Sequence, residues 1–167
     1  MKAFFFIATL LYGLFAVSAG QAAELVGFND RSVRPGTILI KNSQKKLYLV
    51  LRGGKAIRYS VAVGKRGKSW TGQAFITAKY VKPDWSPSNE VRRDHPNIPR
   101  LIKGGASNNP MGVAAMTLSN GNFAIHGTNR PGSIGRAVSY GCIRMSNRDI
   151  SDLYQRVSVR TPVLAVN

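Results

Sequence analysis

IHGTNRPGSIGRAVSYGCIRMSNRDISDLYQRV, residues 125–157, decides how this chain is read. It opens on the end of AAMTLSNGNFAIHG, a stretch that reads as strand, Asn-Gly turn, strand, with His126 at its close. A glycine-rich loop follows, and sixteen residues after the histidine comes Cys142, the only cysteine in the chain. The stretch ends in SNRDISDLYQRV, which has the marks of a helix. Ser146 stands at the cap, Asp149 at the third helical position, and Ile150, Leu153, Tyr154 and Val157 form an apolar stripe.

Upstream, TILIKNSQKKLYLVLRGGKAIRYSVAVG consists of short β-rich runs separated by NSQK and RGGK. These are hairpin signals, with Lys46–Leu51 and Ala56–Val63 as the paired strands. A further strand is expected at Gln73–Val81, and TPVLAV closes the chain as another. The repeated turn chemistry predicts a mostly antiparallel β domain. Lys82–Gly112 differs: it holds five of the eight prolines together with Trp85 and His95. It reads as a long ordered loop over the sheet, of a length more often used for binding or as a lid than as a spacer.

The first residues carry Lys2, an apolar run from Ala3 to about Val17, and small residues at Ala19, Gly20, Ala22 and Ala23, the pattern of a secretory signal peptide over 1–23. Residues 24–167 then form one domain, and no later run is apolar enough for a membrane span. The chain has 24 basic and 7 acidic residues, net +17, and losing Lys2 with the leader leaves +16. An acidic partner is implied. Export turns that inference from nucleic acid toward anionic envelope polymers, lipid headgroups or carboxylate-rich substrates.

A lone thiol in an oxidising compartment has no intrachain partner. It is a buried inert side chain, one end of an intermolecular bridge, or a nucleophile. A thiol is mostly protonated at neutral pH, so a nucleophilic Cys142 needs an imidazole to accept its proton, and His126 is the candidate. Zinc fits poorly, because one Cys and two His leave a four-coordinate site short of ligands unless carboxylates join. No acidic residue lies between Asp94 and Asp149, so a backbone carbonyl, with Gly127 as the candidate, would orient the imidazole. Gly141 permits close backbone approach, and the Gly141 and Cys142 amides could face an oxyanion. In an extended chain Arg144 projects to the same side as Cys142, where it could hold a substrate carboxylate or carbonyl.

The string from residue 125 to 157, with TPVLAV after it, closely resembles the catalytic region of the L,D-transpeptidase catalytic-domain family, the YkuD-like or ErfK-like proteins. The likeness also takes in KKLYLVLRGGKAIRYSVAVGKRGK, KPDWSP and NNPMG. It joins His126, Gly127, Ser139, Gly141, Cys142, Arg144 and Asn147 in the family's order. The resemblance implies a mainly β fold, a mixed, mostly antiparallel β-sandwich with one short helix after the catalytic Cys and a long loop over the cleft. It implies a periplasmic or cell-envelope enzyme acting on peptidoglycan peptide stems, with Cys142 as nucleophile, His126 as base, and no metal or organic cofactor. Arg144, Ser139 and Asn147 would position substrate or the loop itself. The Cys142 thioester would be resolved by an amine, giving a cross-link or an attached acceptor. Water in place of the amine would make a carboxypeptidase, and a non-enzymatic basic protein coating the envelope is the rival of another class. Two departures stand out: Tyr140 replaces the histidine of the family's common Ser-His-Gly-Cys, and SWTGQAF stands where the family often has Thr-Pro-x-Gly.

Overall fold

Turn chemistry lays down the sheet. The computed structural model of the chain describes residues 23–167, so the expected leader, apart from Ala23, lies outside the described residues. In chain order the elements are β1 (Glu24–Gly27), β2 (Ile38–Lys41), β3 (Lys46–Leu51), β4 (Lys55–Gly64), β5 (Gly72–Val81), α1 (Asn89–Asp94), β6 (Ala114–Leu118), β7 (Ala124–His126), β8 (Ala137–Ser139), β9 (Ile143–Met145), α2 (Asn147–Arg156) and β10 (Pro162–Val166). Gly53 and Gly54, both at positive φ, reverse β3 into β4. Among the described residues no helix is long and apolar enough to cross a membrane.

Among the described residues seven of the ten strand pairings are antiparallel; the β10–β2, β4–β8 and β7–β9 pairings are parallel. The expected layers are one continuous path, β1-β4-β3-β2-β10-β5-β6-β7-β9, which returns to its own beginning because β9 also pairs β4. The length of β4 allows this. Its first residues, from Lys55, pair β1 and β3, while Val61 and Ala62 pair Met145 and Arg144 of β9.

The curled sheet encloses a core of Ile38, Leu47, Val61, Ile76, Met116, Ile125 and Ile143, capped by Ile150 and Leu153 of α2. Those two helix residues are fully buried, and each contributes about 2–3 kcal/mol of apolar burial. Ser146 caps α2 by accepting a hydrogen bond from the Asp149 amide at 3.0 Å. At the other end Lys79 Nζ donates to the Tyr154 and Val157 carbonyls, both at 2.6 Å, where the helix dipole favours a cation. Tyr59, fully buried, donates its hydroxyl to Asp152 at 2.6 Å and so ties β4 to the same helix.

The Lys82–Gly112 excursion between β5 and β6 is ordered by polar contacts. Trp85 and Ile102 exchange two backbone hydrogen bonds of 2.8 Å. Buried Asn109 donates through Nδ2 to the Pro83, Ile102 and Lys103 carbonyls at 2.9, 3.3 and 3.0 Å. The excursion also contains α1, where a loop without helix was expected. Ser88 caps that helix, but none of its residues is buried, so it carries no apolar stripe to read.

Candidate active site

The short strand β9 runs between β7 and β4, and its register assembles the site. His126 pairs Arg144, Arg144 pairs Ala62, and Ala115 pairs His126, so the cation and the imidazole stand side by side in a row flanked by two alanines. Side chains two residues apart on an extended chain share a face, which puts Cys142 beside that pair. Adjacent-strand spacing and two residues of rise place the His126 and Cys142 Cα atoms about 8 Å apart, with side chains on one side of the sheet. His126, Cys142, Ser139 and Arg144 all line one cavity of about 690 Å³. Trp85 and Val91 of the excursion line it as well.

His126 is buried, and its Nδ1 lies 2.7 Å from the Gly127 carbonyl oxygen. Burial first, and the Arg144 charge second, pull its pKa down to about 4, against the opposing carbonyls of Gly127 and Pro110. The ring is therefore neutral at ordinary pH, and with Nδ1–H on Gly127 the nitrogen left without a proton is Nε2. Burial pushes the Cys142 thiol up, while a backbone hydrogen bond at Ala124 and the Arg144 charge act the other way. Arg144 thus favours both a neutral imidazole and a thiolate. Its own pKa is lowered chiefly by burial, and it makes no ion pair among the described residues.

Gly141 is held from three directions. Trp70 Nε1 donates to its carbonyl at 3.2 Å, its N–H donates to Ser139 Oγ at 3.1 Å, and its α-carbon faces Phe123 so closely that a Cβ would overlap the ring. Its φ of +121° is open to glycine and strained for other residues. Trp70 and Phe123 stack with centroids 6.0 Å apart, completing the clamp. The departure at SWTGQAF therefore supplies a side chain that sets the nucleophile's turn.

The Gly141 amide, expected to face an oxyanion, donates to Ser139 Oγ. Ser139 and Asn147, expected to position substrate or the loop itself, both make hydrogen bonds to the surrounding loops. Ser139 is buried and donates to the Cys142 carbonyl at 2.6 Å. Asn147 Oδ1 accepts from the Thr128 amide at 3.0 Å and the Val113 amide at 3.3 Å, pinning the loops after β7 and before β6 to the start of α2. His95 is exposed, 3.5 Å from the Tyr140 hydroxyl, and lines a neighbouring cavity instead of the one containing Cys142.

One residue of the wall was hidden in a turn signal. Asn120 Oδ1 and Arg144 Nε are the buried side-chain polar atoms without a partner among the described residues, and both residues line the Cys142 cavity. Such atoms are costly unless a ligand completes them. Among the described residues no three metal-ligating side chains are grouped.

A thiol, a neutral imidazole oriented by a carbonyl, and an unpaired guanidinium around one hollow define a site suited to thiol-based acyl transfer. The family model of the YkuD L,D-transpeptidase catalytic domain matches residues 35–164, and the chain belongs to that family. It is 33% identical over 138 residues to the putative L,D-transpeptidase YkuD of Bacillus subtilis, covering 82% of this chain and 70% of that protein. It is 32% identical over 135 residues to the probable L,D-transpeptidase YbiS of Escherichia coli K12, covering 75% of this chain and 43% of the relative. The chain thus spans less than half the length of that protein. Its fold matches the crystal structure of L,D-transpeptidase 3 from Mycobacterium tuberculosis in complex with a faropenem-derived adduct, with a TM-score of 0.61 at 14% identity, over 78% of this chain and 60% of the other.

Proposed function

We propose that this protein is an exported L,D-transpeptidase acting on peptidoglycan peptide stems in the cell envelope, with residues 24–167 as its single catalytic domain. Cys142 Sγ attacks the carbonyl between a diamino acid and a terminal D-alanine as His126 Nε2 takes the thiol proton. With the Gly141 amide committed to Ser139, the Cys142 N–H is the backbone donor assigned to the oxyanion. The C–N bond then breaks, His126 returns the proton to the departing D-alanine amine, and a thioester remains. The amine of a second stem, or of another acceptor, attacks that thioester. His126 accepts the amine proton, the new amide leaves, and the thiol is restored.

The observation that carries this reading is the meeting of Cys142, His126 and Arg144 in one cavity whose wall keeps two buried polar atoms unpartnered. Arg144 Nε would donate to a carbonyl or carboxylate of the stem, and Asn120 Oδ1 would accept one of its N–H groups. The excess of basic over acidic side chains suits anionic envelope polymers as a standing partner. Intact-mass measurement after exposure to faropenem or a carbapenem tests the nucleophile. The unmodified protein should gain one adduct mapping to Cys142, and Cys142→Ala none. An unchanged mass, or an adduct that survives the substitution, refutes the assignment. Incubation with a tetrapeptide stem and an acceptor amine should then release D-alanine and yield the joined product.

A further inference from the structure

Helix α1 lies over the cleft, with Val91 lining both the Cys142 cavity and a second cavity of about 490 Å³ beside it. A six-residue helix has little stability of its own, and this one buries no side chain, so packing does not hold it down. Its attachments to the sheet side are polar. Lys68 Nζ reaches Glu90 at 2.7 Å, and Lys65 Nζ reaches Asp94 at 3.5 Å. Tyr140 donates its hydroxyl to Asp94 at 2.8 Å. The Tyr140 ring is itself fixed from behind, because Lys65 Nζ stands 3.9 Å from its centroid and cations bind the face of such a ring.

Of these tethers, only Tyr140 issues from the turn that carries the nucleophile, two residues before Cys142. The same side chain lines both cavities and stands between them. The state of the turn and the position of α1 are therefore joined through one phenol. An exposed loop element held by a few solvent-facing hydrogen bonds opens at low free energy, and each opening would admit water to whatever occupies the cavity.

We propose that Tyr140 is a specificity-determining positioning residue: its bond to Asp94 keeps α1 over the thioester and so sets the share of acyl groups that goes to an amine instead of water. This rests on the acyl-transfer reading above and assigns a role to a side chain that takes no part in proton transfer. Breaking the tether leaves Cys142, His126 and Arg144 in place and loosens α1, which then depends on its lysine pairs at Glu90 and Asp94.

Tyr140→Phe removes the hydroxyl and keeps the ring under Lys65; Asp94→Asn weakens the same bond from the lid side. Each variant would be acylated with a tetrapeptide stem at fixed acceptor concentration, and hydrolysed and amine-joined products weighed by mass spectrometry. The expected result is a fall of about fivefold in the ratio of amine-joined to hydrolysed product in each variant, with acylation changed less than twofold. The double variant should fall no further than Asp94→Asn alone, because that substitution already weakens the Tyr140 bond together with the Lys65 pair. An unchanged ratio with normal acylation overturns the role given to Tyr140 and leaves the nucleophile assignment standing. A ratio that falls in Tyr140→Phe and not in Asp94→Asn also overturns it. If the unmodified protein forms no acyl-enzyme at Cys142, both proposals fall together.

Discussion

The buried imidazole makes a prediction about acid. His126 carries a pKa of about 4 in the folded chain, where an unburied histidine has about 6.5. A proton therefore binds the unfolded chain more tightly, and folding is opposed as protons become available. The stabilisation from keeping the ring neutral is complete above pH 6.5 and is lost as pH falls from there through 4. Linkage over that interval gives about 3 kcal/mol lost by pH 4. The comparison is with His126→Gln, which cannot titrate. Urea unfolding of both proteins at half-unit steps from pH 7.5 to 4 isolates the effect, since carboxylates common to both cancel in the difference. The stability of the unmodified protein relative to the variant should fall by about 3 kcal/mol across the series. The chain has two histidines, so the variant also assigns their ring signals in NMR, and the His126 ring should titrate near 4 with its proton on Nδ1. A flat difference curve, or a ring that titrates near 6.5, would refute the argument that burial and Arg144 keep this base neutral.

Two substitutions probe the scaffold of the turn. Gly141→Ala should cost about 2–5 kcal/mol in denaturant unfolding and slow Cys142 acylation more than tenfold, because it combines backbone strain at φ +121° with overlap of the Phe123 ring. Adding Phe123→Ala should restore only the steric share. Asn147→Ala should cost about 1–3 kcal/mol by orphaning the Thr128 and Val113 amides, while a faropenem adduct still forms at long times. Complete loss of adduct in a folded Asn147→Ala protein would return that residue to direct substrate binding.

The elements that the sequence discloses are those written in local chemistry. The hairpin at Gly53 and Gly54, the Asn-Gly reversal before His126 and the Ser146 cap each depend on residues a few positions apart, and each stands where its turn or cap residues predict. His126 and Cys142 were visible as a pair because of their types and because a loop joins them. What holds them was not visible. Trp70 reaches Gly141 across 71 residues, Tyr140 reaches Asp94 across 46, and Asn147 reaches Val113 across 34. No periodicity links such partners. Helix α1 escaped for a related reason: with no buried side chain it leaves no apolar repeat, and only Ser88 and Glu90 mark its start. Asn120 looked like turn chemistry, and only the burial of its unpartnered oxygen separates it from an ordinary Asn-Gly reversal.

The sharing of β4 between two stretches of the sheet has a consequence for how this molecule fails. The strand that follows the sulfur is stitched on one side to the histidine's strand and on the other to a ten-residue rod of the hydrophobic interior. Heat or denaturant cannot dismantle the reactive hollow while sparing the rest, since prising β9 loose uncloses the whole wall. Competence and foldedness should vanish in a single cooperative melt, leaving only the overlying flap free to loosen earlier.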